Sequence, residues 1–146
     1  MDSCIFCDIL TSKLPASIVY QDELCTAFMD IQPVNEGHLL VIPNEHAASL
    51  ADLKPAIGSH MFAVAQRIAQ AARGSGVRCQ GINLFVADGA AAGQDVFHVH
   101  IHIIPRYRGD GFGFRFGPNY GQRPARTELD RVAGQVREAL GGSGSQ

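Results

Sequence analysis

The residues with the most chemical content lie in the run Gly93-Gln94-Asp95-Val96-Phe97-His98-Val99-His100-Ile101-His102-Ile103-Ile104. In an extended strand successive side chains point to opposite faces, so His98, His100 and His102 share one face while Val99, Ile101 and Ile103 share the other. Three imidazoles on one surface admit two chemistries. They can hold a metal ion, or one neutral ring nitrogen can attack an electrophile while the other is held by a hydrogen bond that fixes the tautomer. A single histidine in such a strand is more often a core residue satisfied by a neighbour. Gly89, Gly93 and Gln94 precede the run, and glycine-rich turns expose backbone N–H groups that bind phosphate. An imidazole beside such a turn points to attack on phosphorus, and three rings chelating one ion fit less well.

A second set of reactive residues is Cys4-x-x-Cys7. This spacing supports zinc or redox chemistry, and a tetrahedral site needs two further ligands from elsewhere in the chain. Cys25 and Cys79 stand alone and read as small core residues.

These residues must be positioned by a fold that 146 residues can build. At 46% hydrophobic and 18% charged the composition is that of one globular domain with a real core. The formal charge of −2 supplies no basic field, so a nucleic acid polymer is not an expected partner. No apolar stretch approaches the ~20 residues of a membrane span, and Met-Asp-Ser-Cys does not begin a secretory signal. The expectation is a cytoplasmic protein with reduced thiols and no membrane attachment.

Apolar residues at 5, 6, 9 and 10 predict a short helix that Pro15 cannot prolong. Short strands are predicted over 17–20, 25–30 and 38–42, the last stopped by Pro43. Leu50, Leu53, Ile57, Met61, Val64, Ile68 and Ala72 form one helical stripe, giving a helix over about 54–73 that ends at Gly74. A strand over 82–86 leads through the glycine turn into the histidine strand. Residues 106–126, rich in Gly, Arg and aromatics, read as an irregular loop. Thr127 opens a last helix, with Leu129, Val132, Val136 and Leu140 on its stripe, and 141–146 reads as a flexible tail after a single domain over 1–140. Short connections between strands predict an α+β fold, an antiparallel sheet with helices on one side.

The sequence resembles the histidine triad (HIT) family over roughly residues 4–107. The landmarks, in family order, are Cys4-Ile-Phe-Cys7, Ala27-Phe-Met-Asp-Ile-Gln-Pro33, Gly37-His-Leu-Leu-Val-Ile-Pro43 with His46, and Gly93 to Arg106. The resemblance implies a five-stranded antiparallel sheet that dimerises through the long helix and adjoining strand into a ten-stranded sheet. It implies a hydrolase or transferase that cleaves a nucleoside 5′-phosphoryl bond, typically of AMP, in phosphoramidates or dinucleoside polyphosphates through a covalent nucleotidyl-histidine. The alternative is a catalytically weak nucleotide-binding regulatory or scaffold protein.

Residue by residue, the resemblance makes His100 the nucleophile, His102 a phosphate contact that assists charge and proton movement, and His38 the histidine near the leaving group. Gln94 and the backbone around Val96 match the phosphate turn. Asp30 matches the carboxylate that binds the ribose hydroxyls, although by itself it also reads as a strand-end carboxylate closing a turn with Gln32. Ile5, Phe6, Ile9, Phe28 and Ile31 match the apolar clamp on a purine. Cys4, Cys7, His46 and His98 match the structural zinc ligands of the bacterial members. Two positions depart from the family. Asp95, among the catalytic positions, stands where Ser or Thr donates to the scissile bridge; it must be protonated, point away, or favour a cationic amine as leaving group. Ala87 replaces a phosphate-contacting amide. Arg106 or Arg108 would meet any extra phosphates.

Overall fold

Every short β-prone run of the sequence enters one sheet. The computed structural model describes residues 3–143. In it β1 (Ile18–Gln21), β2 (Cys25–Met29), β3 (Leu39–Pro43), β4 (Gly81–Phe85) and β5 (Ile101–Arg106) form a five-stranded sheet in the order β1-β2-β3-β5-β4. Each neighbouring pair is antiparallel.

Between β3 and β4 runs the helix α2 (Pro55–Arg73). It starts at a proline, whose missing N–H is not needed in the first turn, and ends at Gly74. Its buried stripe, Ile57, Met61, Val64, Ala65 and Ile68, packs on Ala27, Leu39, Val41, Ile101 and Ile103 from three central strands. His60 of the same helix bonds Asp22 in the β1–β2 turn at 2.6 Å, and the Tyr20 hydroxyl donates to the same carboxylate oxygen. Burial would raise the Asp22 carboxyl, but His60, Tyr20 and the amides of Cys25 and Leu24 outweigh it and hold it well below the usual range.

The opposite face of the sheet carries Phe28, Leu40 and Ile42, covered by Phe6, Ile9 and Leu10 of the short helix α1 (Ile5–Leu10). The expected placement of helices on one side therefore describes α2, whereas α1 lies on the other face. The alternation of β3 makes this necessary: Leu39 and Val41 face α2, so Leu40 and Ile42 need a cover of their own.

The histidine run is less regular than its alternation predicts. Strand β5 begins only at Ile101, so His98 and His100 precede it. Pairing with β3 runs from Leu39↔Ile103 to Val41↔Ile101. Two residues further on stands Pro43, which has no N–H to continue the ladder. The chain there takes other partners, with the Val99 N–H donating to the carbonyl of Ala47 at 2.8 Å.

Packing divides the chain into two compact units, one through Phe112 and one from Gly113. In the second, Phe116 stacks on Tyr120 at 3.7 Å, and α3 (Arg126–Ser143) carries a Glu128–Arg131 ion pair. The segment before α3 has no regular element, as its composition predicts. The helix itself outruns the expected stop at Gly141; two glycines cost roughly 1 kcal/mol each in a helix but do not block it as proline does. Of the expected tail, residues 144–146 lie outside the described residues.

His38 enters β3 from a turn that depends on Gly37. Its φ is +91°, and a Cβ there would stand 2.8 Å from Val77 Cγ1 and 3.1 Å from Pro105 Cγ. We expect Gly37→Ala to lower the free energy of unfolding by about 1–3 kcal/mol, read as an earlier urea midpoint at unchanged m-value. An unchanged midpoint would show that this turn tolerates a side chain.

Candidate active site

One row of the sheet sets the floor of the site. Phe28 pairs with Leu40, Leu40 with His102 and His102 with Phe85, so these four side chains cross the face that α1 covers in part. Phe85 stacks flat on His102, centroids 4.3 Å apart and planes 15° apart. The role of Phe85 is not legible from β4 alone and follows from the β4–β5 register. His100 lies 4.8 Å from His102, and Phe6 sets its edge against both His98 and His100. The three rings thus share one side, although only His102 sits in the strand.

Hydrogen bonds to carbonyls fix the ring tautomers, because a carbonyl can only accept. His98 Nε2 lies 2.8 Å from the Pro43 carbonyl, so the proton is on Nε2 and the Nδ1 lone pair is open. His100 Nδ1 lies 2.8 Å from the His98 carbonyl, so here the proton is on Nδ1 and the lone pair is on Nε2. His38 reads through an amide instead: its Nδ1 accepts the Val34 N–H at 3.0 Å, which puts the proton of the neutral ring on Nε2. That N–H donates to His102 Nδ1, the two nitrogens 3.0 Å apart, so His102 carries its own proton on Nε2. Burial pushes the pKa of His38 down, and Asp30 opposes this only in part. Burial, then the neighbouring His100 and His38, pushes His102 down to about 4. Both rings are neutral near pH 7, as this relay requires.

The open Nδ1 of His98 belongs to a four-residue cluster. Cys4 Sγ, Cys7 Sγ, His46 Nδ1 and His98 Nδ1 all lie within 4.8 Å of one another. Sulfur–nitrogen separations are 3.4, 3.4 and 3.6 Å, and the two nitrogens are 3.2 Å apart. A tetrahedral zinc would put sulfur and nitrogen about 3.6 Å apart and two nitrogens about 3.3 Å apart. The donor set therefore fits zinc in both chemistry and edge lengths. Two cysteines at the start of α1, a loop histidine after β3 and the first histidine of the run supply it, with the Cys7 N–H donating to Cys4 Sγ.

The remaining candidates fall into two groups. Phe6 and Phe28 are buried in edge-to-face contact, whereas Ile5 is half exposed and Ile31 is 93% exposed. Ile9 is half-buried beside Phe6. Asp30 Oδ1 accepts the Gln32 N–H at 2.8 Å, closing the turn, while Oδ2 lies 3.6 Å from His38 Nε2. Gln94 is buried and its amide is fully used: Nε2 donates to the carbonyls of Ala48 and Val96, and Oε1 accepts the Gly89 N–H. It shapes the turn. The Val96 N–H donates to Asp95 Oδ1 at 2.9 Å. Arg106 does not face the histidines with a free guanidinium. It forms a two-pronged pair with Asp110, donates to Asn83 and lies over Phe112.

The HIT domain family model matches residues 11–109. A HIT-like protein of Borreliella burgdorferi is 45% identical over 118 residues, 80% of this chain and 85% of its own length. Adenylylsulfatase HINT3 of Arabidopsis thaliana is 38% identical over 112 residues, 75% of this chain and 55% of that protein. A Zn-bound histidine triad family protein of Mycobacterium smegmatis shares the fold with a TM-score of 0.73 at 42% identity, over 94% of this chain and 97% of that one.

The neutral relay has a pH signature. An unfolded imidazole takes a proton near pH 6.5, whereas folded His102 does so only near 4. Between these values the unfolded chain binds more protons, so this stabilisation is complete above pH 6.5 and is lost as the pH falls through 4. We expect the urea midpoint to drop between about pH 7 and about pH 4.5, and to drop less in His102→Gln. Equal drops in the two proteins would assign the acid sensitivity elsewhere.

Proposed function

The chain belongs to the HIT domain family, and from that premise we propose that it is a nucleotidyl hydrolase or transferase. It cleaves a nucleoside 5′-phosphoryl bond, typically of AMP, in phosphoramidates or dinucleoside polyphosphates. The observation that carries this reading is the His100 tautomer: Nδ1–H is tied to a carbonyl, and Nε2 keeps its lone pair. His100 Nε2 bonds to the α-phosphorus while the bond to the leaving atom breaks. That atom keeps the electron pair and takes a proton. Water or another acceptor then attacks the same phosphorus, the P–Nε2 bond breaks, and its electrons return to the ring.

The other residues position this exchange. His102 offers an Nε2 hydrogen to the phosphoryl oxygens and the leaving atom, and His38, hydrogen-bonded behind it, keeps that hydrogen outward. The turn held by Gln94 presents the backbone around Val96 to phosphate, with the Val96 N–H itself shared with Asp95. Asp30 Oδ2 serves the ribose hydroxyls, and the exposed Ile5 and Ile31 flank the purine, with Phe6, Ile9 and Phe28 behind them. Cys4, Cys7, His46 and His98 hold a structural zinc that ties α1 and the loop after β3 to the histidine run. Two copies pair through β4, whose outer edge has no neighbour in the sheet, and through α2.

The test is to incubate the wild type and His100→Ala with an adenosine phosphoramidate and with diadenosine tri- and tetraphosphate. Released AMP and intact protein mass are followed. We expect a nucleotidyl adduct on the wild type only, and AMP release lower in the variant by on the order of 10³-fold or more. Equal release by both proteins would overturn the reading; binding of AMP without turnover or adduct would favour the regulatory protein. Elemental analysis should find one zinc per chain, and Cys7→Ser should lose it together with thermal stability. Full retention of zinc by that variant would exclude the assigned ligand set.

A further inference from the structure

Asp95 brings a negative charge to a site that must receive an anion. Its Oδ1 holds the Val96 N–H, a donor that a phosphoryl oxygen would otherwise take. The side chain is exposed, no lysine or arginine pairs with it among the described residues, and its charge is felt at the His102 ring. Asp30 adds a second carboxylate beside His38. Arg106, which leaves the histidine strand, is not available to balance these: it is held by Asp110 and Asn83. The imidazoles of His38 and His102 are neutral. One phosphoryl group can be met by N–H donors, but a chain of further phosphates would meet like charge.

We propose that Asp95 selects substrates by the charge of the leaving group. The site takes a nucleoside monophosphate joined through a P–N bond to an amine, and it disfavours conjugates whose leaving group carries more phosphates. This rests on the nucleotidyl reading above and narrows its substrate class. As His100 Nε2 bonds to phosphorus, the P–N bond to the amine breaks and the nitrogen keeps the bonding pair. It accepts a hydrogen bond from His102 Nε2–H, takes both of its protons from solvent, and departs as an ammonium ion attracted by Asp95. The water that next cleaves the P–Nε2 bond gives its proton to solvent, and the electrons of that bond return to the His100 ring.

Two arms test this, one with turnover and one without. Asp95→Asn keeps an oxygen for the Val96 N–H and removes the charge; Asp95→Thr restores a hydroxyl. In the first arm both variants and the wild type are compared on AMP joined to the lysine ε-amine and on diadenosine triphosphate. The wild type should prefer the amide, and the ratio of the two kcat/KM values should fall about tenfold in each variant. A ratio that stays within about twofold overturns the proposal. In the second arm AMP and ADP are titrated calorimetrically. ADP should bind the wild type about tenfold more weakly than AMP, a gap that Asp95→Asn closes. Equal affinities for the wild type overturn the proposal whatever the turnover. Discrimination that vanishes in Asp95→Asn, without any adduct on His100, supports charge selection while overturning the nucleotidyl reading.

Discussion

The site depends on two hydrogen bonds from imidazole rings to backbone carbonyls. Because a carbonyl has no hydrogen to give, Pro43 forces the proton of His98 onto Nε2, and the His98 carbonyl forces that of His100 onto Nδ1. Two histidines of one run are thereby set in opposite tautomers. The first turns its lone pair toward two cysteines, and the second turns its lone pair away from its own backbone. His98 links the cluster to the neighbouring histidine, with its ring among the cysteines and its carbonyl on His100. Any disturbance of the cluster therefore reaches the His100 ring through a single residue.

The sheet supplies rigidity through its two unlike faces. One is a continuous apolar layer against α2, with Val41 and Ile103 fully buried. The other mixes Phe28, Leu40 and Ile42 with the imidazoles, and α1 covers only the apolar part. The turn before β3 is pinned at the far end of β5. Asn35 donates to the Pro105 carbonyl and to Asp110, which Arg106 grips in turn. Arg106, Asn35 and Gly37 act there as a clasp that sets where His38 stands relative to His102. Hydrogen bonding to Arg106 outweighs the upward push of burial and, with Asn35 and two amides, holds the Asp110 carboxyl far below its usual range, so the clasp stays charged.

Electrostatics at the histidines follow from this packing. Burial keeps His38 and His102 neutral near pH 7, which lets each ring carry one donor and one acceptor in a directed chain from the Val34 N–H outward. The carboxylates of Asp30 and Asp95 border that chain, so the face is polar and weakly negative where α1 leaves it uncovered.

The alternation of residues 98–102 by itself put three imidazoles on one side, and the stripe from Ile57 to Ala72 by itself made α2, because side-chain periodicity is a local property of backbone geometry. The family landmarks from Cys4 to Arg106 singled out the four residues that the fold brings together as a cluster, and the triad. Neither could show that β5 starts at Ile101, since that follows from Pro43 lacking an N–H opposite the run. Local pattern likewise could not show that Phe85 lies flat on His102, that Arg106 is spent on Asp110, or that Asp95 occupies the Val96 N–H. Each of these depends on strand register or loop closure between residues distant in sequence or on the path of a turn, and a one-residue change of register would exchange the faces. Composition and spacing thus determined which groups the protein brings to its chemistry, and the tertiary structure decided which lone pairs and charges remain available.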